Sequence, residues 1–167
     1  LGMDDRIIRL PIPIDSSRFK PEKLPFIKHS GNIISKHSFL HENGDSIYVA
    51  PGEHEVTEDL IIPPHRFLQI PAGTTLRFHR EATLVCESPI LAHGTEKNPI
   101  VLTSFGSKWS GLLIANTKGR SEFRYVKISN TTGVGHQANP DGIDRGGWTL
   151  TGGITFYKSP VDISHCK

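Results

Sequence analysis

The stretch TLRFHREATLVCESPILAHGTEKNPIVLTS, residues 75–104, decides the fold. Four short apolar pieces, TLRF, TLVC, PILA and PIVLT, are separated by the turn-forming segments HREA, ES and HGTEKN. Within the pieces apolar and polar residues tend to alternate, the period of a strand with one buried face. Pro or Gly interrupts nearly every longer window, so no amphipathic helix of ten or so residues can be written through it.

The pieces also recur. Setting TLRF against PIVL places Leu76 opposite Ile100 and Phe78 opposite Leu102, with the same offset each time. Leu60 to Leu84 repeats that offset, and Leu68 to Ile90 falls just short of it. Three strands per turn of about two dozen residues is the arithmetic of a solenoid. Each turn is too thin to bury its own apolar face, so equivalent strands stack and their side chains fill one continuous interior. A sandwich or barrel would favour two-residue hairpin turns. The chain has one Asn-Gly, at Asn43-Gly44, and one Asp-Gly, at Asp141-Gly142.

Working outward, the same pattern predicts strands at SIYVA, DLII, FLQI, GLLIA and FRYVKIS, so the regular region runs from Asp45 onward. Residues 1–44, with Pro11, Pro13, Pro21 and Pro25, read as an irregular N-terminal arm or cap. Residues 45–167 form the solenoid, interrupted by a polar, Gly-rich insertion loop at 131–147. Beyond it, GGITFYKSPVDISHCK alternates once more, with Gly152 answering Gly111 and Ile163 answering Ile128 across the longer spacing that the insertion imposes. No cap follows this last strand, so the expectation is a solenoid cut short at its C-terminal end and able to associate end to end.

At 167 residues the chain suits one domain with a sizeable core, or one domain plus an arm. Its 19 basic and 17 acidic residues give a formal charge of +2 without charged blocks, which favours neither nucleic acid nor an acidic membrane surface as partner. No apolar run approaches the roughly 18 residues that span a bilayer, so no membrane insertion is expected. Cys86 and Cys166 are too few for a disulfide framework. The nine histidines form no metal-binding spacing, and most fall in turns or beside strand ends; His79, next to Phe78, should point outward. No phosphate-binding loop or nucleophile elbow occurs, and neither a metal nor a cofactor is expected.

IPAGTTLRF (70–78), LAHGTEKNPIVLTS (91–104), WSGLLI (109–114) and GWTLTGGITFYKSPVDISHC (147–166) resemble right-handed, single-stranded parallel β-helix domains of bacterial proteins. More narrowly, the region is similar to the β-helix that accompanies spore-coat-protein-H-type kinase domains in bacterial surface or envelope proteins. The resemblance implies an all-β fold, an extracellular or envelope setting, and further turns after the equivalent of Cys166. With the phosphate-binding motifs missing, it does not bring the kinase chemistry of neighbouring domains to this chain.

Candidate sites gather in the insertion loop. His136, Asp141, Asp144 and Arg145 could serve as acid, base or cation-binding groups, and Asn139 as a ligand contact. Trp109 and Trp148 each adjoin a Gly-led strand; an exposed indole there would be a sugar platform, while recurrence at equivalent places argues for packing at a corner. Tyr125, Tyr157, Lys127 and Lys158 should form a polar outer face. The expected function is a non-catalytic module that binds polysaccharide or holds neighbouring domains of a larger bacterial protein. The alternative is a fragment of a polysaccharide lyase, epimerase or hydrolase.

Overall fold

The structure, a computed structural model, describes residues 36–80, 82–133 and 152–167. Within them it is all-β. The fourteen strands are β1 (Leu40–Asn43), β2 (Ser46–Val49), β3 (Glu53–Val56), β4 (Leu60–Ile62), β5 (Phe67–Pro71), β6 (Thr75–Phe78) and β7 (Thr83–Cys86), then β8 (Ile90–His93), β9 (Ile100–Ser104), β10 (Gly111–Ala115), β11 (Ser121–Arg124), β12 (Val126–Ile128), β13 (Ile154–Tyr157) and β14 (Val161–Ser164).

The chain deals these strands to three sheets in rotation, so that from β2 to β11 each strand pairs with the third one after it. One sheet has the order β1-β2-β5-β8-β11-β14, a second β13-β10-β7-β4 and a third β12-β9-β6-β3. All these pairings are parallel except β1 with β2. That exception falls on Asn43-Gly44: Asn43 pairs with Ser46 across a two-residue turn, and Gly44 has φ +59°. Asn-Gly is the pair that tolerates such a turn, so this hairpin signal marks the lone antiparallel pairing among the described strands.

Alternation sends one side chain in two toward the interior, where register stacks like upon like. Leu60, Leu84, Leu112 and Ile154 form one column, and Ile62, Cys86, Ile114 and Phe156 its neighbour. The first three members of each column are fully buried. At roughly 1.5–3 kcal/mol per buried aliphatic side chain, these columns are the main source of cohesion. β7 and β10 are buried on both faces, as the apolar runs TLVC and GLLIA require. At β13 and β14 burial falls off: Ile154 is 40% and Ile163 55% exposed beside an apolar hollow of about 170 Å³.

Several expectations from the sequence are corrected by the registers. The matches Leu60–Leu84 and Leu68–Ile90 are found as pairs. Leu76, however, pairs with Leu102 and Phe78 with Ser104, one alternation further on than expected. A slip of one full alternation leaves every side chain on its own face, so apolar pattern alone cannot distinguish the registers. The backbone bonds Gly73 N to Asn98 O and Val101 N to Thr74 O fix the choice. Ile163 pairs with Phe123 rather than Ile128, and Ile154 pairs with Leu112. FRYVKIS is two strands, not one, because Tyr125 has φ +49° and turns the chain between sheets. β3, with the sequence EHEV, has too little apolar content for its strand to be legible in advance. Of the expected arm at 1–44, residues 36–44 are described and contribute β1.

Among the described residues no helix is long and apolar enough to cross a membrane. Those residues also contain no group of three or more His, Cys, Asp and Glu side chains placed to hold a metal ion.

Candidate functional site

The ends of β8, β11 and β14 meet at a corner of the six-stranded sheet. Alternation along β11 turns Ser121 and Phe123 inward and leaves Glu122 and Arg124 outward. Parallel register then sets Glu122 between Leu91 and Asp162, and Arg124 between His93 and Ser164. Residues from three well-separated places in the sequence thus form one polar row.

The corner is built by a tight turn and two unusual backbones. Thr95 N donates to Asn98 O at 3.1 Å and Asn98 N to Thr95 Oγ1 at 3.0 Å, closing the turn in HGTEKN. Gly94 lies against the next strand, its N donating to Arg124 O at 2.8 Å; a Cβ there would meet Tyr125 O at 2.5 Å. Tyr125 and His165, at equivalent corners of successive strands, have φ +49° and +55°. For a bulky aromatic residue this conformation is strained by about 1–2 kcal/mol, and such strain persists only where surroundings enforce it. Here Tyr125 N donates to Ser164 O at 3.1 Å and Ile100 N to Tyr125 O at 3.0 Å, while the Tyr125 and His165 rings stack with centroids 4.6 Å apart.

These parts enclose an open cleft of about 680 Å³, lined among others by His93, Glu96, Glu122, Arg124, Tyr125 and Asp162. Glu122 Oε2 lies 2.8 Å from His93 Nε2, and Arg120 Nη1 donates to Asp162 Oδ1 at 2.6 Å. All four side chains are about half exposed or more, so these pairs add little stability and their remaining lone pairs and N–H groups face water. The Arg124 guanidinium carbon lies 5.8 Å from the Tyr125 ring centroid. The arrangement presents carboxylate acceptors, guanidinium donors and a held aromatic ring along one groove.

The candidates named from sequence fare differently. His136, Asn139, Asp141, Asp144, Arg145 and Trp148 lie outside the described residues. Trp109 is fully buried: its indole stacks on Phe78 with centroids 4.1 Å apart and its Nε1 donates to Ser129 O at 2.8 Å. A ring without an exposed face offers no sugar platform, and corner packing is the role this geometry gives it. His79 faces outward toward Glu55 and stacks on Phe105. Lys127 and Lys158 are exposed, with Lys158 Nζ 5.6 Å from the Tyr157 ring centroid.

The alternating pattern marks Tyr125 as an outer-face residue but gives no local reason to pick out His93, Glu96, Glu122, Arg124 or Asp162. Their signal is recurrence at outward positions. Glu122 and Arg124 are answered in the next strand of the sheet by Asp162 and Ser164, and Tyr125 by His165 just beyond. Comparison with protein-family models, with curated proteins and with solved structures finds no match for the chain.

Proposed function

We propose that the chain is a right-handed parallel β-helix module of a larger bacterial protein, and that the corner cleft binds carbohydrate. The rotation of strands among three sheets, parallel in every pairing but β1 with β2, supports the β-helix reading. A single observation carries the carbohydrate reading: Glu122, Asp162, Arg120 and Arg124 line up on one sheet face beside the strained, stacked Tyr125. Vicinal sugar hydroxyls both donate and accept, and carboxylates and guanidinium groups meet them two bonds at a time. The C–H face of a sugar packs on an aromatic ring. A shallow, solvent-open groove suits a chain passing across it better than a small molecule enclosed by it.

Affinity electrophoresis through gels containing soluble polysaccharides tests this. Retardation of the native protein should be lost in the Glu122→Gln, Asp162→Asn double variant and kept in Lys127→Gln, whose side chain lies on a different sheet. Equal retardation of all three proteins would place binding elsewhere, and no retardation in any gel would remove the carbohydrate reading.

A further inference from the structure

The balance of charge in the cleft narrows the ligand. Its carboxylates are Glu96, Glu122 and Asp162, and the fixed cations at the same corner are Arg124 and, bonded to Asp162, Arg120. His93 stands on Glu122. Asp162 is balanced by Arg120, Arg124 stands one alternation along β11 from Glu122, and Glu96 alone is left in excess, so neither sign of charge strongly dominates the groove. An acidic polysaccharide would set its carboxylates or sulfates against Glu96, Glu122 and Asp162. A polycation would displace Arg120 and meet Arg124. A hydroxylated ligand without charge can use both sets at once, donating to carboxylate oxygens and accepting from guanidinium N–H groups.

We infer that the cleft between His93 and Asp162 selects neutral glycans and binds them with little dependence on salt. This assignment rests on the carbohydrate reading and refines it. Polyelectrolytes bind in a strongly salt-dependent way because opposite charges are screened and counterions released. Hydrogen bonds and ring stacking to an uncharged sugar chain carry no such penalty. Arg124 is the proposed specificity residue: it supplies N–H donors to hydroxyls, and its charge offsets that of Glu122 on the same strand face.

The test is calorimetric titration with three probes, hydroxyethylcellulose or galactomannan as neutral chains, polygalacturonate as a polyanion and chitosan oligomers as polycations. Each is run at about 50 and about 500 mM salt, which shortens the screening length severalfold. The neutral probe should bind with Kd changing less than about twofold between the two, and Arg124→Gln should weaken it by about fivefold to tenfold, the worth of one to two hydrogen bonds. Circular dichroism and denaturant midpoints matched to the native protein show that Arg124→Gln is folded. Binding confined to polygalacturonate or chitosan and falling steeply with salt overturns the neutral assignment while leaving the carbohydrate reading intact. Binding to none of the three overturns both.

Discussion

Trp109 lies flat on Phe78, their ring centroids 4.1 Å apart and their planes within 11°, although one residue leads into β10 and the other ends β6. The isolated bridge of Trp109 to Thr131 and the bond from Thr132 N to Trp109 O tie the same residue to the start of the following loop. Trp109→Ala should cost about 3–5 kcal/mol by cavity formation. Trp109→Phe, which keeps a ring but loses the bond to Ser129 O, should cost about 1–2 kcal/mol. Denaturant unfolding of the two variants measures both; equal losses would show that the second ring and the indole N–H carry the whole contribution and that the remaining phenyl carries none.

Gly111 opens β10 with φ +120°, and a Cβ placed on it would collide with the backbone of Gly153, just before β13. Gly111→Ala should therefore cost about 2 kcal/mol or more, through backbone strain and steric displacement together. Gly106, with φ +81° but open space around it, separates the two effects: Gly106→Ala should cost about 1 kcal/mol. A smaller loss at Gly111 than at Gly106, read from denaturant midpoints, would mean that β10 and β13 are not held in the described register.

The two thiols should differ sharply in reactivity. Cys86 is fully buried, and burial pushes its pKa well up, so little of the nucleophilic thiolate forms. Cys166 is only partly covered, its Sγ 3.5 Å from Phe123 O. In native protein a chromogenic disulfide reagent should consume one thiol quickly and the other only after denaturant is added. Rapid reaction of both would place Cys86 outside the core.

His37 couples stability to pH. Burial lowers its pKa below the ordinary value of 6.5, with Glu58 raising it and Lys36 lowering it to smaller extents. The unfolded chain thus takes up a proton near pH 6.5 that the folded chain resists, so stability is lost as pH falls below 6.5 toward the folded value. Its buried Nε2 has no hydrogen-bond partner among the described residues, and its ring packs 5.4 Å from that of Phe39. His37→Phe keeps a ring and removes the titration. Chemical denaturation at pH 7.5 and 5.5 should show a shallower fall for the variant; identical falls would mean that other groups govern the acid side.

Much of the interior could be read from sequence because burial writes itself as period two. Leu60, Leu84, Leu68 and Ile90 needed only their spacing to be paired correctly. The β6–β9 register escaped because sliding by one full alternation preserves the pattern, and only the turn at Asn98 distinguishes the alternatives. β11 and β12 merge in the sequence because Tyr125 in a left-handed conformation has no signal of the kind glycine gives. The cleft is hidden for a different reason. His136 to Arg145 form a cluster along the chain, whereas Glu122 and Asp162 become neighbours only through the strand register.

β1 runs against the direction of every other strand in its sheet. Parallel strands laid down by one repeated step can be prolonged by another copy making the same step. A reversed member breaks that operation, since its ladder of donors and acceptors has a different rhythm from the parallel ladders beyond it. A strand added at this rim of the described sheet would therefore not repeat the parallel step, and the exposed His41 and Glu42 along it give the edge a hydrophilic character.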